Sequence, residues 1–131
     1  MKIYKTEKLL NENIRQVLDE MARVGNLDDK LEIYIRTNDS GNIPHMHIWD
    51  SATLGQKFHT CIRLDKPEYF HHTGKEDVLN SKQKKDLTRF LSSKHRRFNM
   101  TNWEVILIYW NDNNSKVTID EDSEMPDYTL L

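Results

Sequence analysis

The chain of 131 residues contains a single cysteine, Cys61, so no disulfide can form within it and no cysteine-rich zinc site can be built. A reducing, cytoplasmic setting is the simplest expectation. Glycine (four) and proline (three) are scarce and no repeat is visible, which leaves little room for a long structureless linker. Long apolar runs are also missing. The longest, Val105 to Trp110, falls far short of the roughly 20 residues that span a bilayer, and Met1 to Lys5 is not followed by a signal-type apolar core. No membrane association is expected. Neither sign of charge dominates: 19 Lys and Arg against 21 Asp and Glu argue against both a wholesale nucleic-acid binder and an acidic nucleic-acid mimic.

What is present suffices for one compact domain and not two, since 37% of the residues are apolar and 9% aromatic. The expected unit is a single domain over 1–131, with an ordered core over about 6–113 and a loosely packed acidic tail over 115–131 that holds five acidic residues and one basic. From Thr6 to Val24, Leu10, Ile14, Val17, Leu18 and Met21 recur at spacings of three and four, which predicts an amphipathic helix closed by Gly25-Asn26. Three strands follow in the pattern: Glu32 to Thr37, Ile43 to Trp49 and Lys57 to Leu64. Asn80 or Ser81 then caps a helix running to about Lys94. The capping box Thr101-Asn102-Trp103-Glu104 decides that Val105 to Trp110 belongs to a helix rather than a strand. The expected fold class is α+β: an N-terminal amphipathic helix, a small antiparallel sheet of about three strands, and two C-terminal helices packed on one face of the sheet.

Strand alternation separates two faces. Ile33, Ile35, Met46, Ile48, Phe58, Ile62 and Leu64 form an apolar face for helices to cover. Glu32, Tyr34, Arg36, His45, His47, Trp49, His59, Cys61, Arg63 and Asp65 fall on the other. Of these, Tyr34, Arg36, His45, His47, Trp49, His59 and Arg63 are the candidate binding residues, with Tyr34, Arg36 and Trp49 as a hot spot. His45 and His47, two apart on one strand, can share a metal or a phosphate. With His59 and Asp65 they would supply three nitrogen ligands and an oxygen, a set suited to zinc or another divalent transition ion. The competing reading makes them surface or interface histidines on a partly wet sheet. Cys61 reads as an inert, half-buried thiol, and His71-His72 as structural or as further ligands. Lys82 to Arg97 carries seven Lys or Arg against one Asp; this run is either a solvated helix face or a contact for nucleic acid, and the acidic tail could fold back on it.

A His-x-His strand resembles those of metal-binding cupins and histidine-triad nucleotide hydrolases, although the glutamate spacing of the first and the third His of the second are missing. Pro44-His45-Met46-His47-Ile48, with a later Leu-rich helix and a final helix ending Ile108-Tyr109-Trp110-Asn111, resembles a family of uncharacterised small bacterial proteins. Those proteins carry a Pro-His-aromatic-His-Val strand and often sit beside a second small protein in operons of toxin–antitoxin appearance. The resemblance covers roughly residues 31 to 113, Met46 stands where the aromatic residue is usual, and no activity comes with it. The segments Phe58 to Asp65, Glu68 to His72 and Met125 to Thr129 are similar to uncharacterised proteins of phages and mobile elements of low-GC Gram-positive bacteria.

The favoured expectation is a small non-enzymatic interaction protein, of the accessory or antagonist kind (anti-defence or antitoxin-like) found in mobile elements. It would bind a protein partner, use no cofactor, and have a homodimer through the sheet edge or His face as one arrangement. The alternative is a small metal- or His-dependent phosphodiester hydrolase using His45, His47 and His59 with a divalent transition metal. A third reading is a nucleic-acid binder using Lys82 to Arg97.

Overall fold

The computed structural model describes residues 21–37, 43–70 and 77–131. It is an α+β fold with four strands, one more than the pattern predicts: β1 (Met21–Asn26), β2 (Leu31–Arg36), β3 (His45–Asp50) and β4 (His59–Arg63). They form one antiparallel sheet in the order β1-β2-β3-β4. Two helices follow, α1 (Ser81–Ser92) and α2 (Asn102–Asn113), and a single 3-10 turn closes the chain at Tyr128–Leu130.

The added strand corrects the N-terminal reading. The helix expected to run to Val24 does not reach it, because Met21 to Asn26 is paired with β2; the rest of that helix lies outside the described residues. Helical spacing within 21–24 is overridden by the ladder, and by a hairpin whose turn is fixed at Asp28. The Asp28 carboxylate accepts from the backbone N–H groups of Lys30 and Leu31, both at 2.8 Å. Gly25 is no helix terminator. It sits where the β1–β2 register shifts, and a Cβ there would stand 2.8 Å from Cζ of Phe90. With glycine the Phe90 ring of α1 lies directly against this strand, and a larger residue would require the ring to shift.

The predicted face assignment agrees with the observed register. Ile33 pairs with Ile48 and Met46 with Ile62, while on the other face Tyr34 pairs with His47, and His47 in turn with Cys61. The apolar face is covered by α1 through Leu87 and Leu91 and by α2 through Trp103, Val105, Ile106, Leu107 and Trp110, all in one core cluster. The α1 cap is reciprocal: Asn80 accepts from Gln83 N–H and Gln83 accepts from Asn80 N–H, each at 2.8 Å. At α2, Thr101 Oγ1 accepts from Glu104 N–H and Glu104 returns the bond. α1 ends at Ser92 rather than near Lys94, because the next residues turn back and Lys94 pairs with Thr101. The far end of α2 is tied to β2, where Asn114 donates to the Arg36 carbonyl (3.0 Å) and Thr37 to the Asn113 side chain (2.9 Å).

Residues 115–131, expected as a loosely packed tail, are mostly exposed but tied to the core at particular points. Buried indoles must place their N–H groups, and the tail supplies the acceptors: Trp110 donates to the Val117 carbonyl (2.7 Å) and Trp103 to that of Ser123 (2.9 Å). Asn111 exchanges two bonds with the Ile119 backbone. Tyr128 is fully buried and donates to the Arg63 carbonyl at 2.6 Å; burial raises its phenol far above the ordinary range. The acidic composition of the tail reflects its outer side chains, whereas Tyr128 belongs to the core and Ile119, Met125 and Leu131 pack against it. Among the described residues no helix is long and apolar enough to cross a membrane.

Candidate metal centre

Three strands bring the polar face to a focus on His47. β3 alternation puts His45, His47 and Trp49 on one side, and the register sets Tyr34 of β2 and Cys61 of β4 on either flank of His47. The His47 ring stacks on Tyr34, with centroids 4.9 Å apart and planes at 20°, and on His59 at 5.2 Å and 18°. Its Nδ1 lies 2.9 Å from His59 Nε2 and 3.3 Å from Cys61 Sγ, and Cys61 Sγ lies 3.9 Å from His59 Nε2. Two nitrogens and a sulfur therefore surround one point. Bond lengths of about 2.0–2.1 Å to nitrogen and 2.3 Å to sulfur place the donors of a tetrahedral zinc site roughly 3.3–3.6 Å apart, so the observed spacings bracket the required ones.

His45 forms a second grouping with two of these residues, one that does not include His59. Ligand atoms of His45, His47 and Cys61 all lie within 4.8 Å of one another, and all three residues are buried. His45 Nδ1 lies 2.7 Å from the Ile43 carbonyl. A carbonyl can only accept, so Nδ1 carries the proton and, in the neutral ring, Nε2 holds the lone pair. This is the second contact by which metal-binding imidazoles are commonly oriented. The described residues thus contain a His/Cys group able to hold a transition ion.

The face differs from the wet surface expected of it. His45, His47 and Cys61 are fully buried, and Tyr34 is 2% exposed. One cause is a turn after β4 that alternation along the strands does not reveal. Arg63 N–H bonds to the Glu68 carbonyl, and Phe70 N–H to that of Cys61 at 2.8 Å. The returning chain lays the Phe70 ring 4.6 Å from that of His45, and Trp110 approaches the same imidazole at 5.3 Å. This return also occupies the outer edge of β4, where Tyr69 bridges to Ile62.

The other sequence candidates are distributed differently. Trp49 is partly exposed; its indole donates to Glu32 (3.1 Å), which also pairs with Arg23 (3.3 Å). Arg36 is exposed at the end of β2, so it forms no common surface with the buried Tyr34. Asp65 does not join the histidines. It receives two bonds from the Arg63 guanidinium, both 2.8 Å, which hold its carboxyl below the ordinary carboxylate range and raise Arg63 above its own. His71 and His72 lie outside the described residues. The residue that sequence reasoning left out of the ligand set is Cys61, although its position two residues after His59 was signal enough to place both on one face.

Asp50 and Gly55 fix the loop that returns β4 to β3. The Asp50 carboxylate accepts from Thr53 Oγ1 and from the backbone N–H groups of Thr53 (3.0 Å), Lys57 (3.2 Å) and Phe58 (3.0 Å). The Thr53 hydroxyl leads in lowering its pKa, partly opposed by burial. Gly55 has φ +85°, and a Cβ there would meet the Trp49 ring at 2.9 Å. The loop therefore sets the alignment that brings His59 and Cys61 to His47. In comparison with known proteins, no family model, no curated protein and no solved structure matches the chain.

Proposed function

We propose that this protein binds one transition-metal ion of the zinc type and works as a non-catalytic interaction protein, its metal organising the sheet. The observation that carries this reading is the convergence of His47 Nδ1, His59 Nε2 and Cys61 Sγ on one point. A thiolate with imidazoles favours zinc, cobalt or copper over the hard cations magnesium and calcium, which prefer oxygen. His45 groups with His47 and Cys61, and if it joined His59 around the same ion the set would be four. Four protein donors make a closed site, whereas a catalytic zinc keeps a position open for water or substrate. A set closed in that way, with Cys61 among the donors, would weigh against the phosphodiester hydrolase built on His45, His47 and His59. A partner would then be gripped by surfaces that the metal holds in place rather than by the ion itself.

The test is cobalt titration of untagged protein under reducing conditions. One equivalent should bind, with visible d–d bands of tetrahedral intensity and a near-ultraviolet thiolate-to-cobalt band; zinc should displace it. Cys61→Ser should lose the charge-transfer band, and His47→Ala should lose stoichiometric binding. Wild-type protein that retains no equivalent of zinc or cobalt after gel filtration would overturn the reading.

A further inference from the structure

We infer a second binding surface, independent of the metal centre: the outer ridge of α1 and the loop after it bind the phosphate backbone of nucleic acid. The ridge exposes Lys82, Lys85, Arg89, Lys94, Arg96 and Arg97, with Asp86 as the one carboxylate in the segment. Lys82, Lys85 and Arg89 follow one another at helical spacing along one side. From Lys82 to Ser92 the helix advances about 15 Å, so the cations form a line rather than a point.

The structure separates this ridge from the rest of the basic run. Lys84 is used internally, its ammonium donating to the Leu131 carbonyl. Asp86 is shared between Lys82 (2.7 Å) and Arg89 (3.3 Å). Among the described residues no carboxylate pairs with Lys85, Lys94, Arg96 or Arg97. The tail does pack on α1, but through the Tyr128–Leu130 turn; no described ion pair joins its carboxylates to the ridge.

The loop is also held ready. His95 is buried, its backbone N–H bonds to the Met100 carbonyl (2.8 Å), its Nδ1 accepts from Arg97 N–H (3.0 Å), and its ring stacks on Phe98. Lys94, Arg96 and Arg97 thus project from a fixed hairpin, which spares the ordering cost that a flexible basic segment would incur on binding.

The choice of nucleic acid over an acidic protein follows from what the ridge lacks. Protein interfaces centre on buried apolar or aromatic anchors. Among the described residues the large exposed apolar ones are Leu54, Val78 and Leu130, none of them within 81–97. What the ridge exposes besides cations is mainly hydroxyl, Ser81, Ser92 and Ser93, and phosphate contacts are made by such side chains. The reading is of backbone contact and carries no base specificity.

The experiment is fluorescence anisotropy of the full chain with a short labelled DNA duplex of arbitrary sequence, over a series of salt concentrations. With about five phosphates neutralised, log Kd should rise with log salt at a slope near 4.5, a several-hundred-fold weakening between about 50 and 200 mM. The triple variant K85Q/R96Q/R97Q should lower that slope by about 3 while leaving the melting temperature and cobalt uptake unchanged. Those two controls keep this test separate from that of the metal centre. Absence of duplex binding at low salt, or an unchanged slope in the triple variant, would overturn the proposal. So would displacement of the duplex by polyglutamate at equal charge concentration, which would assign the ridge to an acidic protein partner.

Discussion

Metal binding at the His/Cys centre should be visible as added stability, and the size of the effect can be worked out. His47 stands on β3 and His59 and Cys61 on β4, so the donors meet only when the two strands are paired in the native alignment. An ion that binds the folded chain alone stabilises it by RT ln(1 + [M]/Kd), about 2.7 kcal/mol at a free concentration one hundred times Kd. With an unfolding entropy of about 2.1 cal/mol/K per residue, 131 residues give roughly 0.28 kcal/mol/K. Zinc should therefore raise the melting temperature by about 10 °C. This is an upper value, since the unfolded chain's six histidines and one cysteine retain some affinity. The assay is a thermal melt by circular dichroism in a zinc buffer of fixed free concentration, repeated after chelation and with the variant H47A/C61S. Calcium or magnesium at the same concentration should give no shift. A zinc shift of equal size in the double variant would refute the assignment, because the stabilisation would then come from elsewhere.

Other consequences can be checked separately. Tyr128→Phe removes one buried bond to the Arg63 carbonyl and should cost about 1 kcal/mol, with Tyr128→Ala costing about 3–5 kcal/mol; a urea midpoint unmoved by either would return the tail to the loose state expected from composition. Gly55→Ala places a side chain at φ +85° and against Trp49, so it should cost at least about 1–2 kcal/mol and weaken cobalt binding, read by tryptophan emission and by the cobalt spectrum. His95 has its pKa lowered, first by burial and also by Arg96 and Arg97, against a raising bond to the Val24 carbonyl. The unfolded state then takes the proton first, so the His95 contribution is complete above about pH 6.5 and declines as the pH falls below it. His95→Gln should flatten the slope of stability against pH between 7 and 5, measured by urea unfolding; an unchanged slope would place the sensitivity in other groups.

Much of the sheet is legible from period alone. Tyr34, His47 and Cys61 fall on one face by counting residues, and the register sets them in one row. α2 is legible for a different reason: Thr101 and Glu104 are a local chemical signature that outweighs the strand propensity of Val105 to Trp110. What period cannot convey is cover. The burial of the histidines comes partly from the turn that returns Phe70 across β4, a tertiary contact with no repeating pattern. β1 is not legible from period, because Met21 also fits a helical stripe and only pairing with β2 decides between the two. The anchors of the tail are not legible from its charge, since Tyr128 and the carbonyls that receive the indoles carry no compositional mark. Cys61 was passed over as a ligand because a lone thiol has no sequence partner; its partners are imidazoles across a strand pair.

The pairing of His47 with Cys61 has one more consequence. Side chains alternate along a strand, so sliding β4 past β3 by a single residue would send both His59 and Cys61 to the opposite side of the sheet. The buried row of Thr60, Ile62 and Leu64 resists that slip, but only by degree. A bound ion would add to that resistance, since a misaligned pair offers it one strand's donors and not the other's. Metal availability during synthesis would thus act as a gauge of alignment, favouring correctly paired chains over slipped ones.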